Sequence, residues 1–286
     1  MSDLIVRPAS KDEFAIAVEW AAAEGWNPGL GDLETFYNVD PAGFLMGWQD
    51  GVPVSSISVV RYSKQFGFLG FYIVRSNYRG TGVGLATWNA GMAHLGDRTI
   101  GLDGVVDQQE NYKRSGFVYA GKNVRFTGVP LIETETRFEG SIRDFLPTDI
   151  DAVLAYDKFC FPADRESFVR DWTDVQHSNY RKTKIALLDG ELAGYATIRE
   201  CRSGYKIGPL FADTQQIAQG LFEQLCSGLP KGSEISLDVP QANTGAGKLV
   251  EQYGLQAAFE TARMYRGPIE EPSSSKIFGI TTFELG

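Results

Sequence analysis

The run Arg79-Gly80-Thr81-Gly82-Val83-Gly84 holds the residue types and spacing in this 286-residue chain that most directly suggest chemistry. Glycines at alternate positions let a backbone approach a ligand closely and turn through conformations closed to other residues. The apolar run Phe71-Tyr72-Ile73-Val74 precedes it; Leu85, Trp88, Met92 and Leu95 follow it, spaced three, four and three. The segment therefore reads as strand, glycine-rich turn and helix. Such a turn gathers several N–H groups at the positive end of a helix dipole, an arrangement that binds an anion such as a pyrophosphate. The same glycines would equally serve a tight strand-to-helix connection, and the pattern alone leaves both uses open. It does exclude three nucleotide sites. No Gly-Lys-Ser/Thr ending marks a P-loop, the spacing is not that of a dinucleotide fold, and no kinase signature set accompanies it.

Elsewhere the chemistry-bearing residues are sparse. Asp103 interrupts the apolar strand Ile100-Gly101-Leu102-Asp103-Gly104-Val105, where a carboxylate needs a partner or a purpose, so it is a candidate general base. Asp238 holds the matching place in Ile235-Ser236-Leu237-Asp238, so a repeated structural role is the alternative. Cys160, Cys201 and Cys226 are widely spaced without a C-x-x-C pair; they suggest buried thiols, neither a disulfide framework nor a metal site. His94 and His177 stand apart from any nucleophile or second ligand and are expected to be structural. A net charge of −9 with no cluster of Lys and Arg argues against nucleic acid as a partner. No signal-like N-terminus and no apolar run near the length of a membrane span is present, so a soluble cytoplasmic protein is expected.

Two segments, roughly 1–128 and 138–286, repeat one order of signals. Ile5-Val6-Arg7-Pro8 reads as a strand, and Ser10-Lys11-Asp12-Glu13 as a capping box opening an Ala-rich helix that ends at Gly25; Ser141-Ile142-Arg143 and Thr148-Asp149-Ile150-Asp151 repeat this. Asp50-Gly51 and Asp189-Gly190 each sit between two strand-like runs as hairpin turns. The two Asp-bearing strands are each followed by a Gly-apolar step, Gly116-Phe117 and Gly254-Leu255. Residues 129–137 read as a linker or exchanged strand. Strands alternating with helices predict an α/β (α+β) architecture in each half, a mixed sheet with helices packed on it.

At the glycine turn a resemblance becomes specific. Arg79 to Gly84 resembles the Q/R-x-x-G-x-G/A coenzyme A signature of Gcn5-related N-acetyltransferases (GNAT), and Asn111-Tyr112-Lys113-Arg114-Ser115-Gly116-Phe117 is similar to the family's later helix and Gly-Phe step. The whole chain resembles bacterial tandem acetyltransferases of the YitH-like type, in which a complete domain precedes a divergent one; Glu24 to Gly29 and Gly101 to Val105 carry that likeness. The resemblance implies two tandem domains, each a mixed, mostly antiparallel sheet flanked by helices. It also implies acetyl-CoA as donor, with Tyr72, Ile73 and Val74 pairing with pantetheine, Arg79 to Gly84 and Asn111 binding the cofactor, and a backbone N–H near Ile73 polarising the carbonyl. It implies little about the acceptor, for which a small-molecule amine is expected because a large second half would narrow any groove for a peptide. Tyr112 becomes the candidate acid for the leaving thiolate.

The base is less defined, because Phe68 to Val74 lacks the carboxylate that many relatives carry there. Asp103 remains a candidate, proton loss through water is the alternative, and Glu24 and Asp32, flanking the Trp26-Asn27 loop, are candidates to orient the amine. Trp26, Tyr72 and Trp48 are candidate walls of an acceptor pocket, with ordinary core packing the alternative for Trp26 and the preferred reading for Trp48. The second half has Ile207-Gly208-Pro209-Leu210 and Val250 where the first has its glycine turn and Tyr112, so it is expected not to bind coenzyme A. Two other functions stay open, a non-catalytic acyl-CoA sensor and a protein or peptide N-acetyltransferase. The sequence does not specify an oligomeric state.

Overall fold

A computed structural model of the chain describes residues 3–132, 136–174 and 179–286; His177 lies outside them. The first half runs β1 (Leu4–Pro8), α1 (Lys11–Ala23), α2 (Asp32–Val39), β2 (Phe44–Gln49), β3 (Val52–Arg61), β4 (Phe66–Val74), α3 (Val83–Leu95), β5 (Thr99–Val105), α4 (Gln109–Arg114) and β6 (Val118–Gly128). The second runs β7 (Ser141–Asp144), α5 (Ile150–Cys160), α6 (Glu166–Thr173), β8 (Arg181–Leu188), β9 (Glu191–Glu200), β10 (Tyr205–Ala212), α7 (Gln215–Cys226), β11 (Ile235–Pro240), α8 (Thr244–Gln252), β12 (Gln256–Arg266) and β13 (Ile277–Gly279).

Local signals explain most of these boundaries. Ser10 Oγ accepts from the Glu13 N–H and the Glu13 carboxylate accepts from the Ser10 N–H, the expected reciprocal cap, while Arg7 pairs with Glu13. The second half builds its counterpart two residues earlier than the sequence pattern suggests. Arg143 pairs with Asp149, and the Asp149 carboxylate accepts from the Leu146 N–H at 2.7 Å. Thr148 is not the cap, because Arg143 fixes the carboxylate nearest to the strand. Both hairpin turns form as expected, with Asp50 and Asp189 at φ 52° and glycine next in each.

The halves share one continuous sheet, ordered β1-β2-β3-β4-β5-β12-β6-β11-β10-β9-β8-β7 with β13 against β10. It is mostly antiparallel; β4–β5 and β10–β11 are the parallel pairs. At the centre the chain exchanges strands: β12 of the second half lies between β5 and β6, and β6 of the first lies between β12 and β11. The crossing strand of the first half is thus Val118–Gly128, and the described residues just after it are in no helix or strand.

Two cross-strand ion pairs pin the exchange. Asp103 on β5 faces Arg263 on β12, and Asp238 on β11 faces Arg125 on β6. Arg263 donates to Asp103 at 2.9 and 2.5 Å, and Arg125 to Asp238 at 2.7 and 2.8 Å. All four side chains are largely buried. Burial by itself would raise the Asp238 pKa, yet the Arg125 charge and hydrogen bonds outweigh it and hold the carboxyl below the ordinary aspartate range. Aromatic packing joins the halves on one side of the sheet, with Phe36 of α2 stacked on Trp172 of α6 at 5.9 Å.

Replacing Asp238 by Asn removes the carboxylate that both pairs with and hydrogen-bonds the buried Arg125 guanidinium, and a loss of about 3–5 kcal/mol in urea unfolding is expected. A carboxyl depressed in the folded state contributes stability above its unfolded pKa. Wild-type stability should therefore fall as pH drops below about 4, and less of that fall should remain in the variant.

Candidate active site

The cleft originates in a parting of strands. β4 and β5 pair in parallel only from Phe66↔Thr99 to Leu69↔Leu102, after which they splay. On its other edge β4 bulges against β3: Ser58 faces Gly70 and Ser56 faces Ile73, so Phe71 and Tyr72 together oppose Ile57. Phe71 takes φ +46°, a strained value for an aromatic residue, and its carbonyl accepts from Ser56 Oγ at 2.8 Å. The bulge leaves the Gly70–Val74 backbone facing a space of about 620 Å³ instead of β5.

One end of this space meets the glycine turn. Gly82 caps α3 at φ +92° and has no side chain to satisfy the first helical N–H groups, which stay available to an anion. Gly80, Gly84 and Arg79 line the space with Tyr72, Ile73 and Val74; Thr81, Gly82 and Val83 belong to the same turn and helix start but are not among its lining residues. Thr81 Oγ1 donates to the Tyr78 carbonyl, which holds the turn. Arg79 bonds the Val74 carbonyl and Glu24, bridging the mouth. Asn111 is exposed on α4 and donates to Gln108, so its amide supports the start of the helix and does not reach the space.

Tyr112 lines the middle of the cleft. Its ring is buried, stacked on Trp88 at 5.7 Å and laid on Gly104, where any Cβ would come within 2.1 Å of it. Burial, and then the neighbouring Tyr72, push its phenol well above the ordinary value, so the hydroxyl keeps its proton at neutral pH.

Away from the glycine turn the wall is Trp26, together with Phe259 and Thr261 from β12 and Phe283 and Glu284 from the segment after β13. The Trp26 carbonyl accepts from Arg125 at 2.9 Å and from Lys206 at 2.8 Å, two cations held by the strand exchange and the second half. Lys206 is deeply buried, and that burial, followed by the Arg125 charge, pushes its pKa down to about 8. Asn27 and Asp32 are drawn away from the cleft. The Asn27 side chain donates to the Ser203 carbonyl and accepts its N–H, while Asp32 accepts from Arg199 and from the Gly29 N–H. They fasten the loop to the second half and are not among the residues that line the cleft.

Two further expectations need correction. Asp103 touches the cleft wall, but its carboxylate is fully buried and engaged by Arg263 and Asn123, with Thr261 nearby, so it fits the structural alternative and not a base. Trp48 lies on β2 under the Arg7 guanidinium at 4.9 Å, away from the cleft. His94 bonds Asp40, a structural role. Phe259, Thr261, Phe283 and Glu284 carry no local motif; only the strand exchange brings them here.

The second half repeats the parting of strands and then closes it. β10 pairs in parallel with β11 from Tyr205 to Ile207, bulges at Gly208-Pro209, and beyond that takes β13 as its partner at Leu210 and Phe211. Its following helix, α7, is capped by Thr214, whose hydroxyl accepts from the Ile217 N–H. The space and the free helical amides that define the first cleft are both filled. Among the described residues no cluster of potential metal ligands occurs and no helix is long and apolar enough to cross a membrane.

Comparison with known proteins agrees with this geometry. Residues 12–117 match the acetyltransferase (GNAT) family and residues 153–279 an acetyltransferase (GNAT) domain. Over 281 residues the chain is 33% identical to holothin acyltransferase of Pseudoalteromonas sp., covering 98% of this chain and 94% of that one. It is 23% identical over 223 residues to YitH of Bacillus subtilis, an uncharacterised N-acetyltransferase, covering 77% and 76%. A solved structure from Pyrococcus horikoshii shares the fold at a TM-score of 0.80 and 21% identity, covering 99% of this chain and 96% of that one.

Replacing Gly82 by Trp forces a side chain onto a left-handed backbone at the lip of the turn. Coenzyme A binding, followed by calorimetry, is expected to weaken by roughly tenfold or more, the 1.4 kcal/mol of one strained residue with a blocked entrance. Circular dichroism should stay unchanged.

Proposed function

The chain belongs to the Gcn5-related N-acetyltransferase (GNAT) family, and on that premise we propose that it moves an acetyl group from acetyl-CoA to the primary amine of a small molecule inside the β4/β5 cleft. The carrying observation is the polarity of that cleft. One end offers uncapped helical amides and an exposed strand edge to the pyrophosphate and pantetheine; the other is walled by aromatic rings from both halves and by Glu284. Tyr112 lines the same cleft.

The chemistry needs a neutral amine, a polarised thioester carbonyl and a proton for the departing sulfur. The amine nitrogen attacks the carbonyl carbon, the C–N bond forms, and the C–S bond breaks with its electron pair going to sulfur. A backbone N–H at the bulge near Ile73 is our candidate for the carbonyl, and Tyr112 for the sulfur. A phenol held in its protonated form suits an acid. Direct attack in a ternary complex needs no enzyme nucleophile, and the three cysteines are buried, with burial raising each thiol pKa. We take the reaction to run in the cytoplasm, where such thiols stay reduced.

We favour a small acceptor over a peptide, because Phe259, Phe283 and Glu284 of the second half add walls to the cleft and leave less room for a peptide. One relative is named for acylation of holothin, which makes holothin a natural member of the amine panel. Free-thiol release from acetyl-CoA should appear with at least one small amine and not with peptides; release with peptides alone would contradict the reading. Tyr112→Phe is expected to lower kcat by roughly 10²-fold with acetyl-CoA affinity little changed, as loss of a general acid would. An unchanged kcat would remove Tyr112 from the mechanism.

A further inference from the structure

β4 carries no carboxylate where the cleft opens, and the reaction still has to dispose of the amine's protons. Four carboxylates touch the cleft wall: Glu24, Asp103, Asp107 and Glu284. Glu24 is paired with Arg79 at the mouth and Asp103 is locked to Arg263. Asp107 is exposed beyond β5, on the 3-10 turn leading to α4. Glu284 is the one that is both buried, at 5% exposure, and without a hydrogen bond to its carboxylate from any described side chain.

Its location is set by a close approach. A Cβ at Gly70 would fall 2.1 Å from the Glu284 carbonyl oxygen, so the segment after β13 lies directly on β4, at the residue where its pairing with β5 has just ended. Glycine at position 70 is what permits this contact. The segment is anchored on both sides: Tyr62 Oη donates to the Leu285 carbonyl, Arg199 to the Thr281 carbonyl, and the Leu285 N–H to Thr282 Oγ1. Charged groups face Glu284 from four strands. Arg125 on β6, Arg199 on β9 and Lys206 on β10 act on it electrostatically, and Asp238 on β11 belongs to the same cluster. Each cation spends its hydrogen bonds elsewhere, on Asp238, Asp32 or backbone carbonyls. The Glu284 carboxylate is thus left with its lone pairs unclaimed by these cations, on the wall of the cleft.

We propose that Glu284, carried across from the second half, is the base that takes the proton of the acceptor amine, filling the place that β4 leaves without a carboxylate. The inference rests on the acetyltransferase reading above. An acceptor entering as ammonium gives one proton to Glu284, which passes it to solvent. The nitrogen then attacks and loses a second proton to the same carboxylate, while the sulfur receives one from Tyr112. That phenol is restored from the Glu284 side through solvent, and the sum is amide, free thiol and one released proton.

The test compares Glu284→Gln and Glu284→Asp with wild type, using an amine identified by thiol release. The Gln variant should lose roughly 10²-fold in kcat. Its acetyl-CoA affinity by calorimetry and its thermal midpoint should match wild type, and the deficit should shrink as pH rises and the amine arrives already neutral. The Asp variant should recover part of the rate. An unchanged kcat, a raised amine KM with kcat intact, a deficit equal at every pH, or loss of acetyl-CoA binding would each overturn the assignment. If wild type itself releases no thiol with any amine, it is the acetyltransferase reading that fails, and the variants are not needed to see it.

Discussion

Asp103–Arg263 and Asp238–Arg125 are the same contact made twice, once on each side of the strand exchange, and the architecture of the site depends on them. A buried guanidinium or carboxylate is costly unless it is matched, so each pair specifies which strand may lie beside β5 and which beside β11. Once β12 lies against β5, Phe259 and Thr261 necessarily border the cleft. Once β6 lies against β11, Arg125 comes within reach of the Trp26 carbonyl and holds that loop against the cleft. The cleft is therefore a product of both halves, although its glycine-turn end is built from the first alone.

The duplication also shows how one fold can be opened or closed. Both halves splay a parallel strand pair at a bulge. In the first, the bulge holds Phe71 in a left-handed conformation and the next helix begins at a bare glycine, so backbone groups remain unsatisfied and available. In the second, β13 supplies the missing strand and the Thr214 hydroxyl supplies the missing cap. The segment following β13 then continues into the first cleft. A piece of chain that fills one site thus becomes a wall of the other.

The sequence made the first half legible because its determinants are local. A capping box, an Asp-Gly turn, a glycine-rich loop and a Tyr four residues before a glycine each act within a few positions, and each forms. The repeat was legible for the same reason, down to the paired aspartates. What the pattern could not specify was partnership across the chain. Asp103 reads as a lone carboxylate until Arg263, 160 residues later, is placed opposite it. Asn27 and Asp32 look like loop polar groups until Ser203 and Arg199 meet them. Glu284 has no neighbour in sequence that marks it, and its position follows only from a strand exchange and a close backbone contact at Gly70.

The central claim is that a single cleft per chain is competent for the donor. Calorimetric titration of the intact protein with acetyl-CoA tests it most directly. The account predicts one equivalent bound per chain. Two equivalents would mean that β13 does not close the second cleft, and no binding would mean that the glycine turn at α3 serves only to connect strand and helix.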